Sequence, residues 1–172
     1  MAAIYVRRGM IHDIPEIMKI INAAKKRLRA EGNPQWQAGY PSNQSFETDI
    51  NNRVNYVLIV DGKVAGTASL LTAPDVYYQH IDGSWHDDRH PYATLHRMAI
   101  DGHYAGMHLG SYLISNLITI ATMQGIHNLR FDTHRTNQRM QLIGKRSGFT
   151  ERGIIKNHDP NDAYRVAFEL NL

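Results

Sequence analysis

The stretch from Asn55 to Leu71, NYVLIVDGKVAGTASLL, constrains the fold more than any other part of the chain. Two β-rich runs flank Asp61-Gly62, a pair suited to the tight turn of an antiparallel hairpin. What surrounds the hairpin decides what kind of sheet receives it. Upstream, residues 2–8 alternate as a strand does. Asp13-Ile14-Pro15-Glu16 then reads as a helix start, with Asp13 as cap and Glu16 completing a capping box. Ile14, Ile17, Met18, Ile21, Ala24 and Leu28 form the apolar face of that helix, and Gly32-Asn33-Pro34 ends it. PQWQAGYP is an aromatic loop, followed by a short helix with Phe46 and Ile50 one turn apart.

Downstream, residues 73–91 read as loop and residues 92–100 as a strand. Residues 107–124 follow as a helix with Leu109, Leu113, Leu117, Ile120 and Ala121 on one side. HNLRFDTH is a short strand, NQRMQLIGKRSG a helix closed by Gly148, and FTERGII and AYRVAFEL the last strands. Helices interleaved with strands over 172 residues predict one domain, residues 1–172, of mixed α/β class around a single sheet.

Composition excludes several function classes. The chain has no cysteine, so disulfides, thiolate zinc ligands and a cysteine acyl-enzyme are ruled out, and a reducing, cytoplasmic setting is expected. The net charge of +3 is spread out, which disfavours a nucleic-acid face but admits a small anion. No apolar run is long enough for a membrane span. Among ten histidines, His80, His86 and His90 share one loop, yet their spacing matches no zinc signature and Pro91 breaks any helix they would share. No metal is expected.

Chemistry concentrates at HYAGMHLGS, residues 103–111. A helix N-terminus leaves its first N–H groups unpaired and carries partial positive charge. Small residues there let a phosphate approach the backbone, and Gly106, Gly110 and Ser111 meet that need. On local pattern alone, a glycine turn opening a buried helix is an equal reading.

The order of elements, the strand end MAIDG, this glycine loop, and Asn137 followed twelve positions later by Phe149 of Gly148-Phe149 together resemble the GNAT superfamily of N-acetyltransferases. WQAGYP, IDGSW, HRMAI, DTHRTN and AYRVAFE look like a subgroup of small bacterial members whose substrates are mostly unassigned. The resemblance implies a GNAT-like fold: a central, mostly antiparallel sheet flanked by about four helices. It implies acetyl-coenzyme A as cosubstrate and transfer of its acetyl group to a primary amine of a small molecule or peptide. Its pyrophosphate would lie on the backbone of Gly106, Met107, His108, Leu109, Gly110 and Ser111. The pantetheine arm would bond the backbone of Met98 and Ile100, and Asn137 would bond the cofactor.

The chain departs from the family pattern at three slots. Ala105 stands where Arg or Gln leads the loop, and His108 stands at a glycine, where its side chain calls for an unstrained φ. His108 or Arg139 would restore the lost charge. Gly144 fills the slot of the usual tyrosine acid, leaving water or His134 as substitutes. His96 occupies the strand position where a glutamate base is common, and histidine titrates near neutrality; a histidine satisfied within the sheet is the alternative. Tyr40 and Trp85 are candidate walls of the acceptor pocket, whereas Trp36 is expected to pack in the core. The changed slots also admit a non-catalytic acyl-coenzyme A sensor. Neither a membrane nor a nucleic-acid partner is expected; a homodimer is common in the family.

Overall fold

The computed structural model describes residues 3–172. Eight strands form one sheet in the order β1-β2-β3-β5-β6-β8-β7-β4. They are β1 (Ile4–Arg8), β2 (Asn55–Val60), β3 (Lys63–Leu71), β4 (Ile81–Gly83), β5 (Tyr92–Ile100), β6 (Asn128–Thr133), β7 (Thr150–Lys156) and β8 (Tyr164–Asn171). The helices are α1 (Ile14–Ala30), α2 (Asn43–Asn51), α3 (Leu109–Met123) and α4 (Gln138–Arg146). Only β5 and β6 run parallel; every other neighbouring pair is antiparallel. The expected mixed α/β class and mostly antiparallel sheet therefore stand. Ala2, placed in the first strand by sequence, lies outside the described residues.

The β2–β3 hairpin turns at Asp61 and Gly62, with φ of 47° and 78°. Two consecutive positive φ values define the turn whose twist suits paired strands. Every residue of β2 is buried because helices cover both sides of the sheet. On one side, Leu109, Leu113, Ile114 and Leu117 of α3 pack over Leu58, Phe131 and Phe168. On the other, Ile17 and Ile21 of α1 and Phe46 of α2 pack over Val57 and Ile59. Each such side chain removed from water contributes roughly 1.5–3 kcal/mol.

Two local expectations are corrected. Asp13 does not cap α1 with its side chain. Its carboxylate accepts from Arg7 at 2.7 and 2.9 Å and from the Met10 N–H at 2.8 Å, so the charged partner outcompetes the helix amides. The loop at 73–91 contains a turn of 3₁₀ helix at Val76–Tyr78 and the edge strand β4 on β7. A three-residue strand carries too little alternation to be seen in sequence.

The sheet opens at its parallel step. Arg97 has φ 53°, and it and Met98 together oppose the single residue Ala68, a bulge in β5. A bulged strand bends. Tyr92, Ala93 and Thr94 pair with Asn128, Leu129 and Arg130, and there the β5–β6 ladder stops. From Leu95 to Ile100, β5 keeps β3 as its only sheet partner among the described residues, and Phe131–Thr133 of β6 keep only β8.

Candidate active site

A cavity of about 890 Å³ occupies this opening. Leu95 to Ile100 of β5 line it, with Asp132 and Thr133 of β6, the start of α3, one side of α4, and the α1–α2 loop including Gln35, Trp36 and Tyr40. The β7–β8 loop adds His158 and Asp159.

At the α3 end, the first helical bond runs from Tyr112 N–H to the His108 carbonyl at 3.2 Å. The N–H groups of Gly106, His108, Leu109, Gly110 and Ser111 have no partner among the described residues, and all five residues line the cavity. Met107 differs: its N–H donates to the Tyr104 carbonyl at 3.2 Å, its side chain is exposed, and it does not line the cavity. Gly106 has φ 86°. His108 is the N-cap of α3 at φ 55°, which corrects the expected unstrained backbone. Histidine enters the left-handed region more often than most side chains, at a cost glycine does not carry. Gly110 is small for another reason. A Cβ there would press on Ile143 at 3.0 Å, so this glycine lets α3 and α4 approach.

Arg139 lines the cavity beside Arg27 of α1, a residue sequence reasoning missed. Burial and then the charge of Arg139 hold the Arg27 guanidinium below its ordinary range, and its Nε is buried without a partner. Two guanidiniums facing one cavity beside unpaired helix amides have the chemistry to hold an anion. Asn137 lines the cavity too, but its side chain is already employed: Oδ1 accepts from Met140 N–H at 3.3 Å and Nδ2 donates to Gln35 at 3.4 Å. That same Gln35 oxygen accepts from Thr133 Oγ1 and His134 N–H, each at 3.2 Å, tying the α1–α2 loop to β6.

At the other end, His96 Nε2 lies 3.0 Å from Asp75 Oδ2. Burial alone would raise the Asp75 carboxyl. Hydrogen bonds from His96 and the Tyr77 N–H, with the nearby charges of His96 and Arg97, reverse that and hold it below the usual range. An ionised carboxylate only accepts, so Nε2 carries a proton; in the neutral imidazole Nδ1 is then the nitrogen with the lone pair. Nδ1 has no partner among the described residues. Asp132 accepts from Tyr78 Oη at 2.8 Å, and burial raises its carboxyl despite that bond.

Tyr40 lines the cavity with the Arg97 guanidinium 5.3 Å from its ring centre, and burial pushes its phenol up to about 12. Trp36 both packs on the α1 core and lines the cavity. Trp85 is not among the lining residues. It donates to the Tyr78 carbonyl at 3.0 Å and stacks 4.0 Å from Arg130, so its role is packing. His134 is buried, bonded to Thr136 and Asp162, and does not line the cavity. At Gly144, a Cβ would overlap the ring of Phe131, which stacks on Phe168 at 4.7 Å. The usual tyrosine slot is thus filled from β6.

Comparison with known proteins matches these features to one class. Residues 19–149 match the acetyltransferase (GNAT) family. A GNAT-family acetyltransferase from Streptococcus agalactiae 2603 is 30% identical with a TM-score of 0.87, covering 98% of this chain and 95% of that one. The ribosomal-protein-S18-alanine N-acetyltransferase of Escherichia coli shares the fold at 20% identity and TM-score 0.67, covering 98% and 94%. The aminoglycoside acetyltransferase AAC(6')-Ib in complex with coenzyme A does so at 15% and 0.69, covering 98% and 95%. No curated protein sequence matches. The chain belongs to the acetyltransferase (GNAT) family. It is an N-acetyltransferase, and acetyl-coenzyme A is its acyl donor.

Proposed function

We propose that this enzyme acetylates a primary amine of a small molecule or peptide, with His96 as general base. The observation that carries this reading is the His96–Asp75 pair on the wall of the cavity in the split sheet. When bound, acetyl-coenzyme A supplies an acetyl group activated as a thioester. The unpaired amides of Gly106, His108, Leu109, Gly110 and Ser111, with Arg27 and Arg139, would hold its phosphates, and the backbone of Met98 and Ile100, on the edge of β5 that β6 leaves open, would hold its arm. The residues fit the group: the amides lack partners among the described residues, Arg27 has only Glu31 at 3.9 Å, and the cavity joins them to His96.

The chain's own part is proton management and positioning. His96 Nδ1 accepts the proton of the incoming amine, and Asp75 holds the imidazole in the required tautomer while stabilising its charged form. Tyr40 keeps its proton throughout the neutral range and contributes a wall. At the position of the usual tyrosine α4 presents only Gly144, closed off by Phe131, so protonation of the departing thiolate falls to solvent. Among the described residues no helix is long and apolar enough to cross a membrane. The cytoplasm is our proposed setting, as read from the cysteine-free sequence.

The test is release of free thiol from acetyl-coenzyme A by the purified protein with primary amines of several classes. Turnover that falls about 10²–10⁴-fold in His96→Gln supports the base role. Turnover within threefold of wild type overturns it. Binding of coenzyme A without thiol release from any amine would instead leave a non-catalytic acyl-coenzyme A sensor.

A further inference from the structure

Most carboxylates around the acceptor end of the cavity are already matched to a cation. Asp49 takes Arg97 at 2.7 Å, Asp75 takes His96 at 3.0 Å and Asp159 takes Arg165 at 2.6 Å. Asp132 breaks this pattern. It has no ion-pair partner among the described residues, and its one hydrogen bond goes from Tyr78 to Oδ1. Oδ2 is left without a partner, yet it is not sealed in the core, and Asp132 lines the cavity. The residue belongs to the part of β6 that has parted from β5, so it flanks the opening where the amine must enter. Burial lifts its carboxyl, against the charge of His96, the Tyr78 hydrogen bond and the charge of Arg165, none of which makes an ion pair with it.

A cation is what this position lacks, but the reacting nitrogen is a poor candidate. It must be neutral to react, and a carboxylate in contact with it would hold it protonated. Asp132 therefore suits a different nitrogen of the same molecule. An acceptor carrying its own carboxylate is disfavoured here, because Arg97 and Arg165 are both committed to aspartates. We infer that Asp132 anchors a second ammonium group of the acceptor, and that the acceptor is a diamine or polyamine rather than a monoamine or an amino acid. The inference rests on the acetyl-transfer reading above and narrows it to a substrate class.

A four-carbon series tests it: putrescine, butylamine and γ-aminobutyrate differ only at the far end, as ammonium, methyl and carboxylate. With the wild-type protein, kcat/KM for putrescine should exceed that for butylamine about ten- to a hundredfold, the worth of one charge-assisted hydrogen bond, with γ-aminobutyrate slowest. In Asp132→Asn the putrescine-to-butylamine ratio should fall to about one. Unchanged coenzyme A affinity by calorimetry shows that this near-isosteric variant is folded; if it is not, Asp132→Glu, which keeps the charge, should retain a ratio well above one. Equal or faster turnover of γ-aminobutyrate, or a ratio that survives Asp132→Asn, overturns the inference and leaves acetyl transfer standing. If none of the three turns over, calorimetry of putrescine against the coenzyme A-saturated protein decides. Binding lost in Asp132→Asn supports the anchor, and no binding to wild type overturns it. Failure to bind coenzyme A at all would sink both readings together.

Discussion

His96 turns its Nε2 toward Asp75 Oδ2 at 3.0 Å, so a loop residue decides which nitrogen of a strand residue is free to act. Asp75→Asn removes the charge and keeps the shape. We expect kcat to fall about ten- to a hundredfold with KM little changed, because a positioning partner contributes less than the base itself. A KM-dominated loss would mean that Asp75 binds substrate instead.

The same aspartate predicts an acid response. Its folded pKa is depressed, so its contribution to stability is present above the unfolded value of about 3.9 and is lost as pH falls through the lower folded value. Below about pH 5, urea unfolding of wild type and Asp75→Asn should therefore show a difference that shrinks as the acid strengthens. A difference that grows on acidification would reverse the sign of this linkage.

Arg27 of α1 and Arg139 of α4 both line the cavity and repel each other. Alanine at either site should weaken coenzyme A binding about tenfold, the loss of a charge-assisted contact. The affinity left should also depend less steeply on salt. Calorimetry at two ionic strengths measures both effects.

His108 holds a left-handed conformation as the N-cap of α3, with no capping bond from its side chain. His108→Gly should relieve about 1 kcal/mol of backbone strain, offset in part by the freer unfolded chain. Thermal unfolding should show a net gain of a few tenths to about 1 kcal/mol, with coenzyme A binding kept. A lower melting temperature would show that the imidazole does structural work of its own.

Gly144→Ala should cost about 1–3 kcal/mol by overpacking against Phe131. Gly144→Tyr should be worse and should not raise turnover. Chemical denaturation of both variants checks the order.

Local chemistry was readable from the residues, and long-range pairing was not. The Asp61-Gly62 turn, the glycine loop and the Asn137 helix start announce themselves because their causes lie within a few residues. Asp75 and His96 are separated by 21 positions, and neither looks unusual alone. Arg27 sits on a helix whose apolar face explains itself, so nothing marks its meeting with Arg139. Trp85 shows the opposite error. An aromatic in a polar loop suggests a binding wall, but the deciding neighbours are Tyr78 and the distant Arg130. The left-handed His108 escaped notice because the glycine slot fixes a backbone angle, which residue identity alone does not reveal.

Phe131 and Gly144 are also a record of order. Any side chain added at Gly144 meets the phenylalanine ring, and any shortening of Phe131 opens a hole beneath Phe149 and Phe168. Each single step away from the present pair is a loss, so a lineage that has reached it is held there by mutual dependence. A search for variants that place an acid on α4 must vary both codons in the same library, since one-at-a-time selection will discard every intermediate.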